Sequence, residues 1–230
     1  MSNFAGEGLV CIRGERTVFA DLDFALPAGG ALVLIGPNGS GKSSLLRLMA
    51  GLLRPAAGRL TWGGEAVGDD PEGHSGRLHY VGHLDAVKPV LSVAENLLFW
   101  SRLRGHGDTA EAKVEAALAT LGIGHLTDLP GRFLSAGQKR RVNLARILSA
   151  PADLWLLDEP TTALDKASIG VLEQAIAAHR AAGGRVVVST HADITMENAT
   201  VLDLADFTLR PEQVFAGIVG EDAFEQEAAS

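Results

Sequence analysis

Cysteine is almost missing from this chain of 230 residues: Cys11 stands alone. It has no partner in the chain, which excludes a disulfide-stapled fold and points to a reducing compartment. Long apolar runs are missing too. Ala31 to Ile35 ends at Gly36, far short of the roughly 20 residues that cross a bilayer as a helix, so no transmembrane segment is expected. No basic stretch followed by an apolar one opens the chain, and nothing there points to secretion. Basic residues are in deficit: Lys+Arg 20 against Asp+Glu 28 gives a formal net charge of −8, which argues against a dedicated nucleic-acid binder. There is no internal repeat and no linker long enough to separate independent domains. Apolar residues, at 47%, suffice for one sizeable core and are too many for intrinsic disorder. One soluble domain over residues 1–230 is the expectation.

The pattern of elements is α/β. Leu22, Phe24 and Leu26 alternate with Asp23 and Ala25, as in a half-buried strand, and turns are signalled at Arg13-Gly14-Glu15 and Pro27-Ala28-Gly29-Gly30. The continuous apolar run 31–35 reads as a strand covered on both faces. A helix follows with apolar Leu45, Leu46, Leu48, Met49, Leu52 and Leu53 and closes at Gly51 and Pro55. Short strands are expected at 60–62 and 78–81. Residues 88–150 read as mainly helical, with capping boxes at Ser92/Glu95 and, more loosely, Asp108/Glu111. Strand and helix then alternate again: strand 154–157, helix 166–182, strands 186–189 and 201–204. This alternation implies a mostly parallel sheet with helices on its faces. Beyond Pro211 the chain is acidic and weakly patterned.

Three clusters carry chemistry. Gly36-Pro37-Asn38-Gly39-Ser40-Gly41-Lys42-Ser43, with Ser44 next, is a phosphate loop between an apolar strand and a helix. Successive backbone N–H groups and a helix N-terminus can surround phosphates there, the glycines turning tightly without a Cβ. Lys42 offers a charge to the outer phosphates, and the Ser43 hydroxyl can ligate Mg²⁺. The second cluster is Leu154 to Glu159, an apolar strand ending in two carboxylates. Asp158 suits Mg²⁺ and Glu159, one residue on, suits a general base; a solvated Asp-Glu-Pro turn fits the same residues. The third is Leu134-Ser135-Ala136-Gly137-Gln138, where Ser135 and Gln138 form a capping box at a helix N-terminus, an anion site. For Lys139 and Arg141 beyond it, a solvated helix face is the alternative.

In this order, and followed by Thr162-Ala163-Leu164-Asp165 and an isolated His191 after Val186-Val187-Val188-Ser189-Thr190, these motifs resemble the ATP-binding-cassette ATPases over about residues 6 to 210. The resemblance implies a P-loop NTPase fold with N-terminal antiparallel strands and a helical subdomain, and ATP with Mg²⁺ as ligands. It implies a homodimer that sandwiches two ATPs, with Ser135, Gly137 and Gln138 of one copy completing the other copy's site. Asp165 would lie in the loop linking the sites, and His191 would contact the γ-phosphate and order Glu159.

Two positions depart from the family pattern. Where an aromatic ordinarily stacks on adenine, spacing places Arg13; where a lid glutamine is usual, it places His83, which cannot copy the amide's hydrogen-bonding inventory. These departures, with Tyr80 to Trp100 and the opening Cys11 to Leu26, look like the ATP-binding subunits of bacterial haem exporters of cytochrome c maturation. That resemblance implies a peripheral protein on the cytoplasmic face of the inner membrane. It also implies an integral membrane permease and a second haem-handling membrane protein as partners, a functional link to a periplasmic haem chaperone, and no nucleic acid. Docking of the membrane partner is expected at about 83–104, with Phe99 or Trp100 contributing unless both are simply core. The alternatives are an exporter of lipid, lipoprotein or drug and, more remotely, a soluble non-transport ATPase of the same family.

Overall fold

The computed structural model describes residues 3–105, 107–190 and 194–208. Two sheets organise it. Strands β1 (Phe4–Arg13), β2 (Arg16–Leu26), β4 (Ala57–Trp62) and β5 (Glu65–Ala66) form an antiparallel sheet of order β2-β1-β4-β5. Strands β3 (Ala31–Ile35), β6 (Leu78–Val81), β7 (Leu154–Asp158), β8 (Arg185–Ser189) and β9 (Thr200–Asp203) form a parallel sheet of order β6-β7-β8-β3-β9.

The central strands β7 and β8 are continuously apolar over 154–157 and 186–188 because alternate residues enter different cores. Leu154, Leu156 and Val187 pack with the antiparallel sheet and helix α1 (Lys42–Met49). Trp155, Leu157, Val186 and Val188 pack with helices α3 (Val93–Leu103), α4 (Ala110–Thr120), α5 (Ala136–Ser149) and α6 (Lys166–Ala181). In α1, Leu45, Leu46, Leu48 and Met49 are wholly buried. Its C-terminal end is pinned by a polar chain: Trp62 Nε1 donates to His74 Nδ1 at 2.9 Å, and His74 Nε2 donates to the Met49 carbonyl at 2.8 Å.

The helical block over 88–150 is as expected, and the Ser92/Glu95 capping box is complete in both directions. The second box is not formed. Helix α4 starts one residue later than that pattern requires, from Thr109, which makes no side-chain cap bond. Glu111 instead meets Arg102 of α3 at 2.5 Å. A cationic partner on the neighbouring helix competes successfully for a carboxylate that a looser cap would only weakly hold. A short helix α2 (Pro71–Gly76), capped by Asp70 onto the Gly73 N–H, was not anticipated.

Candidate functional site

Strands β7, β8 and β3 are neighbours and parallel, so their carboxyl ends open onto one edge of the sheet, where α/β folds hold ligands. The phosphate loop follows β3, Asp158 ends β7 and Ser189 ends β8. A cavity of about 540 Å³ lies at this edge and is lined by loop residues Asn38, Gly39, Gly41, Lys42, Ser43 and Ser44 together with His83, Asp158 and Glu159. The fold thus brings the first two motif clusters and the lid position into one wall. Gly36, Pro37 and Ser40 complete the loop behind that lining.

Helix α1 begins at Gly41, whose φ of 105° lies in the left-handed region, and no side chain caps it. A Cβ at Gly41 would stand 2.6 Å from Val18 Cγ1 and 2.9 Å from Phe19, so only glycine fits both the backbone and the space. The uncapped first turn leaves backbone N–H groups without intrahelical acceptors, and these form the positive end of the helix dipole. Lys42 is buried, its ammonium donating to the carbonyls of Gly36 at 2.7 Å and Pro37 at 3.1 Å. Two buried hydroxyls, Ser40 Oγ and Ser189 Oγ, have no partner among the described residues; buried polar groups in native proteins are normally satisfied. This arrangement fits an oxygen-rich anion. The exposed Ser43 hydroxyl and the 2% exposed Asp158 carboxylate are the donors that could hold a Mg²⁺ ion. Among the described residues no group of three or more His, Cys, Asp or Glu could hold a metal by itself, so such an ion would rely on ligands supplied by the phosphates, as Mg²⁺ commonly does.

Glu159 sits just outside β7 with φ 48°, a left-handed conformation that costs a non-glycine residue about 1–2 kcal/mol. Its N–H donates to the Ser189 carbonyl at 2.8 Å. The Arg140 guanidinium, 3% exposed, grips the same turn: Nε reaches the Pro160 carbonyl at 3.2 Å, and one terminal nitrogen reaches the carbonyls of Asp158 at 2.8 Å and Glu159 at 2.5 Å.

The third cluster lies apart from this cavity. Ser135 caps α5 with its hydroxyl accepting from the Gln138 N–H at 3.3 Å, while Gln138 Oε1 accepts from the Ser135 N–H at 2.8 Å. A Cβ on Gly137 would meet the Ala163 carbonyl at 2.8 Å, so this glycine lets α5 pack on the turn leading to Asp165. Asp165 caps α6 through the Ser168 N–H at 2.8 Å, and the Ser168 side chain, then that N–H bond, with Arg141 nearby, lower its pKa. Arg13 is exposed at the β1–β2 hairpin and is not among the residues lining the cavity. His191 and the segment beyond Pro211 lie outside the described residues.

Four residues in or against the cavity were given no site role from the sequence. Val18, Thr162 and Ser189 line it; Thr162 and Ser189 stand inside quoted motifs, whereas nothing in the local sequence marks Val18. Arg140 was legible in principle: at helical spacing it shares a stripe with the buried Leu144 and Ile147.

A second cavity, of about 690 Å³, lies against the same lid loop and shares His83 with the first. Arg47, Arg104 and Arg146 line it with Leu52, Leu84 and Trp100. None of the three arginines is in an ion pair among the described residues. Arg104 and Arg146 are tied to backbone carbonyls, and Arg146 lies 4.8 Å over the Trp100 ring. Burial, with Arg104 close by, depresses the Arg146 pKa to about 10. Leu52 and Leu84 are 67% and 84% exposed, and Phe99 beside Trp100 is 56% exposed.

Comparison with known proteins agrees with this geometry. A family model described as ABC transporter matches residues 19–162. The Rhodospirillum rubrum "Cytochrome c biogenesis ATP-binding export protein CcmA" is 66% identical over 219 residues, 95% of this chain and 92% of that protein. The protein of the same name from Paramagnetospirillum magneticum is 63% identical, over 92% of this chain and 98% of that one. Among solved structures, an ATP-binding subunit of an ABC transporter superposes with TM-score 0.79 at 23% identity, over 87% of this chain and 85% of that one. An ABC transporter ATP-binding protein of Pyrococcus furiosus gives 0.77 at 22%, over 90% and 100%. These structures speak to the fold alone.

Proposed function

This chain belongs to the ABC transporter family, and from that premise we propose that it is the ATP-hydrolysing subunit of a membrane export complex acting in cytochrome c biogenesis. The observation that carries the export reading is the 66% identity along 95% of the chain to a protein of that name. The lengths of the relatives, 92% and 98% of which are covered, support one cassette over 1–230.

The phosphate loop from Gly36 to Ser44 holds the phosphates of ATP with its N–H groups, and Lys42 turns its ammonium to the outer ones. Ser43 and Asp158 would hold Mg²⁺, which would supply neutralisation of charge on the phosphate oxygens. Glu159 takes a proton from water as its oxygen attacks the γ-phosphorus; the bond to the bridging oxygen breaks, giving ADP and phosphate. Val18 forms the apolar wall, Arg13 at the hairpin reaches the base as a stacking guanidinium, and His191 contacts the γ-phosphate. Two copies pair head to tail, so that Ser135, Gly137 and Gln138 of one meet the phosphates of the other. Asp165, whose turn packs on Gly137, lies between the two sites. The cationic groove receives the permease, with Leu52, Leu84, Phe99 and Trp100 burying apolar surface. His83, which lines both cavities, connects docking to the nucleotide.

Among the described residues no helix is long and apolar enough to cross a membrane. In this reading, which rests on the 66% identity, the chain is a peripheral subunit on the cytoplasmic face of the inner membrane. Its partners are the permease and a second haem-handling membrane protein, and its turnover is linked to a periplasmic haem chaperone. The test is co-purification with the membrane subunits. The parental complex should hydrolyse ATP, Glu159→Gln should bind ATP without turnover, and Phe99→Ala or Trp100→Ala should lower complex recovery while leaving the isolated fold intact. Parental turnover in Glu159→Gln would remove the general-base assignment, and unchanged recovery would remove the docking surface.

A further inference from the structure

Arg140 lies in a run of basic residues, yet it is the buried member, and its donors go almost entirely to backbone. Three successive carbonyls, of Asp158, Glu159 and Pro160, converge on its guanidinium. The other terminal nitrogen donates to the Gly82 carbonyl at 3.0 Å and to Asp85 Oδ1 at 3.3 Å, an oxygen that also accepts from Asn143 Nδ2 at 3.2 Å. One planar fork therefore joins helix α5, the turn bearing Glu159, and the lid loop beside His83. Arginine suits this task because its five N–H directions are fixed in one plane, whereas an ammonium is a point donor on a flexible stem.

The turn needs such a clamp. Glu159 stands in a left-handed conformation that an L side chain rarely adopts, and such strain persists only where the surroundings over-determine it. The Ser189 carbonyl holds the N–H side of Glu159, and Arg140 holds its carbonyl side. We propose that Arg140 is the positioning residue for Glu159, fixing the carboxylate's turn to the helix that starts at Ser135 and to the lid loop. This rests on the reading of Glu159 as general base. Arg140 itself touches no reacting atom; it acts by setting where the Glu159 carboxylate stands, and a misplacement of about 1 Å in a catalytic group can cost roughly 100-fold in rate.

The experiment uses the full chain assembled with its membrane partners. Arg140→Lys keeps charge and stem but not the fork. Turnover should fall by about 100-fold while KM for ATP stays within about threefold, since the phosphate loop is untouched. In single-turnover phosphate release, Arg140→Lys should add little to the loss already caused by Glu159→Gln, because both act through one carboxylate. An equal fall in affinity and rate, fully multiplicative losses, or parental turnover in Arg140→Lys would each overturn the proposal. Should Arg140→Lys fail to assemble, Pro160→Gly keeps the guanidinium and loosens the third carbonyl. It should show the same split at about tenfold, and parental turnover there would overturn it. The underlying reading fails separately, if Glu159→Gln itself turns over at the parental rate.

Discussion

Helices α1 and α5 both begin at a turn containing serine and glycine, but their first turns are finished differently. At α1 the N-cap is a glycine in the left-handed region, and no side chain caps the exposed N–H groups. At α5 a reciprocal cap is already made, the side chains of Ser135 and Gln138 each accepting from the other's N–H. The first end is ready to receive an anion from within its own chain. The second is stable as it stands, and in the proposed pairing of two copies a guest would have to displace part of its cap. The glycines are used differently at the two ends. Gly41 removes a Cβ that would strike Val18, whereas Gly137 brings α5 onto the Ala163 turn.

The comparison breaks most sharply at Lys42. Lys42→Ala should lower ATP affinity of the isolated chain and turnover of the complex by at least about 100-fold, since a preorganised charge at the phosphates is lost; equilibrium binding and phosphate release check it. Gly41→Ala comes next. Its left-handed φ alone costs about 1–2 kcal/mol, and the contact with Val18 adds to that, so denaturant titration should show lower stability and nucleotide binding should be lost. Ser135→Ala separates the two helix ends. Removing the cap should cost about 1 kcal/mol of stability and impair turnover in the complex, while ATP binding by the isolated chain stays at the parental level.

A further prediction concerns pH and the core beneath the second cavity. His79 is buried, hydrogen-bonded to the Ala150 carbonyl, with Arg104, Arg146 and His179 nearby. Desolvation first, then those cationic neighbours, lowers its pKa to about 3, so it stays neutral in the folded protein where the unfolded chain, near 6.5, takes up a proton. Stability is therefore complete above about pH 6.5 and falls as pH drops toward 3, by up to about 1.4 kcal/mol per pH unit for this one proton. Burial lowers the pKa of His74 and His179 as well, giving the same sign. Denaturation at pH 7, 5.5 and 4.5 should show a shallower decline for His79→Gln than for the parental chain; equal slopes would remove His79 from the account.

The phosphate loop, the strand ending in Asp158 and the Ser135 cap were legible because each is local chemistry: a fixed residue pattern at one strand or helix end. The doubly covered strands were legible from runs such as Val186 to Val188. Asp108 misled because its carboxylate-bearing partner, Glu111, had a better offer from Arg102 on another helix, a contact no short window contains. Helix α2 was overlooked although Asp70-Pro71 carries both a cap and an N1 proline. Arg140 was hidden by its chemistry, since charge in a basic run reads as solvated surface; only its place on the Leu144 and Ile147 stripe betrayed burial. Val18 and Ser189 reach the cavity through sheet order, and that is tertiary.

The most direct measurement of the central claim is made in the organism that carries the gene. The gene is deleted, the parental and Glu159→Gln forms are restored separately, and membrane and periplasmic fractions are stained for covalently bound haem. The account predicts loss of c-type cytochromes on deletion, with recovery by the parental form and none by Glu159→Gln. Persistence of covalently bound haem in the absence of the gene would contradict it.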